Sequence, residues 1–256
     1  MNILFMGTPD FATASLAALL DAGKHVCAVV TQPDKARGRG MKVTFSDVKK
    51  FALEKELPVL QPETLKNGAF LPTLEEYKPD LIAVVAYGKI LPEYILNYPK
   101  YGCVNVHGSL LPKYRGPAPV NWSIIEGETR TGVTTMMTDA GMDTGDILLV
   151  RETELSPDED AAMLSERLSR VGAELLVETI RRIEAGTCPR TPQDSEAASY
   201  FPMLTKETGR IDWTRGARRI VNLVRGVVPW PGAWTEFGEG VLKIWKASPA
   251  AGEGKP

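Results

Sequence analysis

The sequence predicts an α/β fold built on a doubly wound, mostly parallel sheet, followed by the start of a small β-rich unit. Three observations carry that prediction. Short apolar runs alternate with segments of helical spacing over the first half of the chain, the pattern of strand–helix–strand units. Asp80–Ala86 (DLIAVVA) is apolar without alternation, as in a strand covered on both faces. After Val120–Glu126 the alternation stops, and two strand-like segments, Gly132–Thr138 and Ile147–Glu154, follow one another across a Gly-bearing loop. That change predicts an antiparallel addition at one edge of a Rossmann-like sheet.

In order, Asn2–Met6 reads as a buried strand, and Gly7-Thr8-Pro9 turns it into a helix with Thr8 as N-cap and Pro9 at the first helical position. Phe11, Leu16, Leu19 and Leu20 mark the helix, and Gly23 ends it. His25–Thr31 is the next strand. Gln32–Val43 is polar, basic and glycine-bearing, and reads as a loop. Ser46–Glu56 is helical, Val59-Leu60 a short strand, and a helix is expected around Thr64–Tyr77. Pro92–Leu96 gives one or two helical turns, Gly102–Val106 a strand and Val120–Glu126 a short helix. Asp158–Ala185 carries an apolar stripe through Leu164, Leu168, Val171, Leu175 and Ile180, with acidic residues at its start that suit the helix dipole. Gly186–Leu204 has no periodicity. The domain reading is therefore 1–188 as the main unit, 189–205 as a linker and 206–256 as a second unit. In the latter, Ala217–Arg225 reads as a helix, and Ala233–Phe237 pairs with Val241–Lys246. Two strands and a helix are few for an independent domain, so the second unit reads as incomplete.

The composition excludes several classes. A net charge of -2 argues for no partner by bulk charge. The three cysteines, Cys27, Cys103 and Cys188, fall in no CxxC spacing, which speaks against a zinc or disulfide framework and for a reducing, cytoplasmic setting. No metal is expected. No apolar run approaches the ~18 residues of a membrane span, so no membrane partner is expected either. GxGxxG is absent after the first strand, and Pro9 removes a backbone N–H that would face a pyrophosphate, against a dinucleotide-binding dehydrogenase. Local charge is more informative. The acid-free segment KARGRGMK holds Lys35, Arg37, Arg39 and Lys42, and the Arg210–Arg225 region holds Arg215 and Arg218. Two separated basic patches on a nearly neutral chain point to one extended anionic partner.

The chemistry concentrates in Gly102–Leu111, GCVNVHGSLL. Side chains two apart in a strand share a face, so Asn105, His107 and Ser109 are expected to project an amide, an imidazole and a hydroxyl from the strand end into one pocket. Ligand sites in open parallel sheets lie at the carboxyl ends of strands, where Asn105 and His107 fall. Asp143, in the Gly-bracketed DAGMDTGD, joins them if its loop folds over that edge. An amide to hold an oxyanion, an imidazole to move a proton and a carboxylate to bias the imidazole are the parts of an acyl-type transfer. Each of the three residue types is more often structural when alone. Leu110-Leu111-Pro112 reads either as a strand exit or as a wall against a flat ligand, and a cis Leu111–Pro112 bond is open.

Two motifs, Asn105-Val-His107-Gly-Ser-Leu-Leu-Pro112 with Tyr114-Arg115-Gly116, and Gly132-Val-Thr-Thr-Met-Met-Thr-Asp-Ala-Gly-Met-Asp143-Thr-Gly-Asp146, resemble the 10-formyltetrahydrofolate-dependent formyltransferases. Phe5-Met-Gly7-Thr-Pro-Asp-Phe-Ala12, Thr31-Gln-Pro-Asp-Lys-Ala-Arg-Gly-Arg39-Gly40, Ile211-Asp-Trp213, Arg225-Gly and Pro229-Trp-Pro-Gly-Ala233 are similar to those members that formylate methionine on initiator tRNA. The resemblance implies Asn105, His107 and Asp143 as catalytic residues. It also implies 10-formyltetrahydrofolate as co-substrate lined by Ser109, Leu110, Leu111 and Pro112, and initiator Met-tRNA as partner. It further implies that the second unit begins an OB-like barrel. The chain is expected to work as a monomer. The same chemistry on a small amine, as in glycinamide ribonucleotide or amino-sugar nucleotide formyltransferases, is the nearest rival. The basic segments argue against it.

Overall fold

The computed structural model describes residues 1–37 and 42–250; for residues 35–37 and 42–43 it describes the backbone. Strand β1 (Asn2–Gly7), helix α1 (Asp10–Asp21) and strand β2 (His25–Val30) open the chain. Then come β3 (Lys35–Arg37), β4 (Lys42–Thr44), α2 (Asp47–Glu54) and β5 (Val59–Leu60). Next are α3 (Leu71–Tyr77), β6 (Leu81–Val85), α4 (Glu93–Leu96), β7 (Cys103–His107) and α5 (Pro119–Ile125). The main unit finishes with β8 (Arg130–Met137), β9 (Ile147–Glu154) and α6 (Ala161–Glu184). Helix α7 (Ala217–Gly226) and strands β10 (Ala233–Phe237) and β11 (Gly240–Ile244) complete the described chain.

A seven-stranded sheet in the order β5-β2-β1-β6-β7-β8-β9 forms the centre. Strands β5 to β7 are parallel, and β8 and β9 join antiparallel. The α/β class and the antiparallel edge thus match the sequence. Period-two alternation sorts the strand residues onto two faces. Ile3, Phe5, Leu81, Ala83, Val104 and Val106 pack with α1, α2 and α6, while Leu4, Met6, Ile82, Val84 and Cys103 pack with α3 and α4. Every residue of β6 is buried, each large side chain contributing about 1.5–3 kcal/mol of transfer free energy. From β1 the chain winds outward through β2 to β5, then returns to β6 on the other side of β1. The crevice of such a sheet opens at that reversal, beyond the carboxyl ends of the strands. His107 ends β7 on this same edge.

Several local expectations need correction. Thr8 does not cap α1. Pro9 takes the N-cap position, and the Thr8 hydroxyl donates instead to the Tyr87 carbonyl at 3.1 Å, tying β1's exit to β6's. The segment expected as a loop at Gln32–Val43 contains two short strands, β3 and β4, paired antiparallel; three residues apiece are too few to show alternation in sequence. The helix expected around Thr64–Tyr77 begins only at Leu71, because Asn67 and Gly68 take φ values of 54° and 75°, which no right-handed helix accepts. The side chains of Ser46 and Asp160, which the sequence reading did not single out as caps, cap α2 and α6, each accepting from a backbone N–H three residues on.

The second unit rests on the first through a small core of Ile125, Leu204, Ile211, Val224, Val227 and Ala233. Arg225 strengthens the join. Its guanidinium donates to the carbonyls of Ser156, Pro157 and Glu159, at 2.9 to 3.2 Å, ahead of α6. Among the described residues no helix is long and apolar enough to cross a membrane.

Candidate active site

Strand β7 places Asn105 and His107 on the face opposite Val104 and Val106, at the end of the sheet where the crevice opens. Asn105 is half-buried, and among the described residues its side chain makes no hydrogen bond. Its amide N–H groups are thus uncommitted. His107 is 6% exposed and held by two partners. Nε2 lies 2.9 Å from the Tyr114 carbonyl; a carbonyl only accepts, so Nε2 carries the proton. Nδ1 lies 3.7 Å from Asp143 Oδ1, close enough to pair yet longer than a hydrogen bond.

Asp143 reaches the imidazole because its loop folds over the sheet edge. The residue sits at φ 55°, in the left-handed region. Its Oδ2 accepts from the Gly116 N–H at 2.9 Å, which fixes the carboxylate between the His107 ring and the Gly116 backbone. One strand and one loop thus supply the trio of residues singled out from sequence: Asn105 and His107 share a face of β7, and the loop between β8 and β9 brings Asp143 beside the His107 ring. Cys103 on the same strand is buried, and desolvation pushes its thiol up to about 12, so β7 offers no thiolate.

The segment after His107 is built as a rigid turn. Ser109 is fully buried; its hydroxyl donates to the Lys113 carbonyl at 2.7 Å, and its carbonyl accepts from Thr134 Oγ1 at 2.7 Å. Leu111 is buried and the Leu111–Pro112 bond is cis. Leu110 and Pro112 are half-buried. Leu110 opens on a cavity of about 210 Å³ with Lys113, Tyr114, Glu128, Arg130, Thr131 and Glu152, and the trio is not among its lining. Tyr114 donates to Glu128 at 2.7 Å, and burial together with that carboxylate holds its phenol above its ordinary value. Contrary to the expectation from alternation, the Ser109 hydroxyl does not share a pocket with Asn105 and His107, because β7 ends at His107 and the turn that follows buries the hydroxyl on the Lys113 carbonyl.

Of the basic residues singled out, Arg39 lies outside the described residues, and Lys35, Arg37 and Lys42 lie on β3 and β4, described as backbone. These strands leave β2 at its carboxyl end, the same edge as the trio. Their root is fixed by Asp34, whose oxygens accept from Lys49 and from Gln61; the Lys49 bond first, then the Gln61 bond, holds its carboxyl below the ordinary value. In the second unit Arg215 pairs with Asp212 at 3.3 Å and Arg219 with Glu126 at 3.1 Å. Arg218 is exposed and has no ion-pair partner among the described residues.

Comparison with known proteins bears on this arrangement. The model of the formyl transferase family matches residues 1–180, and that of the formyl transferase C-terminal domain matches residues 203–256. The chain belongs to the formyl transferase family. Methionyl-tRNA formyltransferase of Caldanaerobacter subterraneus subsp. tengcongensis is 56% identical over 248 residues, 96% of this chain and 80% of that protein. Methionyl-tRNA formyltransferase of Geobacter metallireducens is 51% identical over 256 residues, 100% of this chain and 82% of that protein. A sugar 3N-formyl transferase solved in the presence of dTDP and 5-N-formyl-THF superimposes with a TM-score of 0.70 at 20% identity, over 96% of this chain and 85% of that one, and at that identity shows the fold.

In this formyl transferase the residues that sequence reasoning missed are those that hold the trio in place. Tyr114-Arg115-Gly116 belongs to the first motif, but the Tyr114 carbonyl and the Gly116 N–H act as backbone groups, a role that residue identities do not announce. The stretch expected as a linker, 189–205, binds back onto this segment. Arg115 N–H donates to the Ser199 carbonyl at 2.8 Å and Phe201 N–H to the Arg115 carbonyl at 3.0 Å. The Phe201 ring stacks on Tyr114 with centroids 4.9 Å apart. Gly116, at φ 111°, sits so close beneath that a Cβ would come within 2.3 Å of the Phe201 carbonyl oxygen.

Proposed function

We propose that this formyl transferase moves the formyl group of 10-formyltetrahydrofolate to the α-amino group of methionine carried on initiator tRNA, in translation initiation. Residues 1–188 form the catalytic unit, 189–205 the connector and 206–256 the OB-like tRNA-binding unit. The chain works in the cytoplasm as a monomer. The observation that supports this reading is the His107 imidazole beside the Asp143 carboxylate at the end of β7, with Asn105, whose amide has no partner among the described residues, two positions earlier on the same face of the strand.

A free α-amino group has a pKa near 8, so an appreciable fraction is neutral at pH 7 and able to attack the formyl carbon directly. No enzyme nucleophile is required. Attack makes a tetrahedral oxyanion, toward which the Asn105 N–H donates. The amine must lose one proton and the departing N10 of the folate must gain one. His107 and Asp143 carry that proton, with the ring oriented by the Tyr114 carbonyl. Ser109–Pro112 shape the folate side of the site. Lys35, Arg37, Arg39 and Lys42 and, from the second unit, Arg215 and Arg218 contact the tRNA backbone.

Transfer of radiolabelled formyl from 10-formyltetrahydrofolate to initiator Met-tRNA, measured beside transfer to glycinamide ribonucleotide and to an amino-sugar nucleotide, tests the reading. Product on the tRNA alone is expected. Product only on a small amine overturns the choice of acceptor. A smaller test addresses the second unit. Arg218→Ala is expected to raise KM for the tRNA and to flatten the dependence of log affinity on log salt by about one. An unchanged salt slope would remove Arg218 from the contact surface.

A further inference from the structure

Gln193 lies in the connector, far in sequence from every residue of the trio, and its amide uses all its hydrogen-bonding capacity on the Asp143 loop and on Arg115, in the segment that follows β7. Its Oε1 accepts from Arg115 Nε at 3.0 Å and from an Arg115 terminal nitrogen at 2.7 Å. Its Nε2 donates to the Asp143 carbonyl at 2.9 Å and to the Gly145 carbonyl at 2.7 Å. The same two segments are also joined elsewhere, by the Gly116 N–H on the Asp143 carboxylate. The His107 ring closes the circuit, since it faces Asp143 on one side and the Tyr114 carbonyl on the other. Gln193, the Tyr114–Gly116 segment, Asp143 and His107 therefore form a closed ring of contacts with the 3.7 Å gap inside it.

Arg115 makes the arrangement hard to regard as incidental. It is 3% exposed and, among the described residues, meets no carboxylate. Its guanidinium is satisfied by the neutral Gln193 amide and the Tyr200 hydroxyl, at 2.6 Å, with the Tyr200 ring 5.3 Å away. A buried charge held only by neutral acceptors is costly to keep. Here its placement fixes the backbone from which Gly116 reaches Asp143. Asp143 in turn adopts a left-handed φ that persists only where the surroundings over-determine it.

We infer that Gln193 is a positioning residue for the transfer reaction: by tying the Asp143 loop to the Arg115 segment, it sets the separation of the Asp143 carboxylate from the His107 ring. It touches no substrate and acts through those two residues. Its role rests on the reaction proposed above. Productive geometry tolerates displacements of only about 0.5 Å, and misplacement by about 1 Å can cost 10² in rate.

Two variants test this. Gln193→Glu keeps the acceptor facing Arg115 and removes the donors facing Asp143 and Gly145; Gln193→Met removes both. Each is expected to lower kcat by about 10- to 100-fold while KM for the folate and for the tRNA stays near the parent value. A second readout is independent of activity. The chain has only two histidines, His25 and His107, so the ring resonances of His107 can be assigned by comparison with a His25→Gln variant. They should move in both Gln193 variants at fixed pH. Parental kcat together with an unmoved His107 signal would overturn the inference, as would a kcat that falls only in step with loss of folded protein. Failure of the parent protein to formylate Met-tRNA would instead overturn the reaction, and the resonance shifts would still report whether Gln193 sets the geometry.

Discussion

Replacing Asn105 with Ala should lower kcat by about 10²–10³, the loss that follows removal of one preorganised oxyanion donor, or about 3–4 kcal/mol of barrier. The magnitude follows from how the residue is held. Asn105 sits within β7, bonded on one side to β6 and on the other to β8, opposite Val84 and Met136. Its backbone therefore costs nothing to organise during the reaction. Its amide has no competing partner among the described residues, so the donor is available when charge develops on the formyl oxygen. Ground-state binding should change little, because the formyl carbonyl is a weaker acceptor than the oxyanion. Asn105→Asp is expected to be worse than Ala, since a carboxylate of the same shape would repel the developing charge. Single-turnover formylation, with folate affinity measured separately and circular dichroism to confirm folding, checks this. A loss of less than about tenfold, or 1.4 kcal/mol, would remove the oxyanion role.

His107→Ala and Asp143→Ala should each lower kcat by about 10²–10⁴, the range for a positioned acid–base group, and the double variant should be little worse than either alone. Residues that act as a unit give strongly non-additive losses, and the ring of contacts from Tyr114 through His107 to Asp143 makes these two a unit. Asp143 has a second duty that must be separated from the first. Its Oδ2 accepts from the Gly116 N–H, so Ala removes both the charge and an anchor of the turn. Asp143→Asn retains an oxygen for Gly116 while removing the charge beside His107. A large kcat loss in Asn with an unchanged unfolding midpoint assigns the effect to the carboxylate's charge. Losses that multiply in the double variant would mean that His107 and Asp143 work independently, and the shared proton path would fail.

Much of this molecule can be read in its residues because the relevant physics is local. The uniformly apolar run in Leu81–Val85 already shows a strand covered on both faces, and strand geometry sends its alternate side chains into two cores. The same strand geometry puts Asn105 and His107 on one face. The acidic residues at 158–160 mark the start of α6, where Asp160 caps the helix through a bond spanning three residues. Local rules also mislead where a distant partner competes. Thr8 has the right chemistry and position for a cap, yet Tyr87, which is 79 residues away, takes its hydroxyl. The stretch ahead of Leu71 looks helical by spacing, yet the left-handed Asn67 and Gly68 break it.

The sequence by itself determined the strand–helix alternation, the antiparallel edge, the strand-end placement of Asn105 and His107, and the presence of a carboxylate in a glycine loop able to join them. Each of these follows from interactions within a few residues of chain. The tertiary structure alone decided that Asp143 comes to 3.7 Å from the His107 ring. It also decided that Tyr114 and Gly116 hold the pair through their backbones, and that a connector without periodicity supplies Gln193 to bind both loops. The physical reason is that a hydrogen bond between groups 27 or 50 residues apart leaves no periodic trace in composition, because its geometry is set by how the sheet and its loops pack.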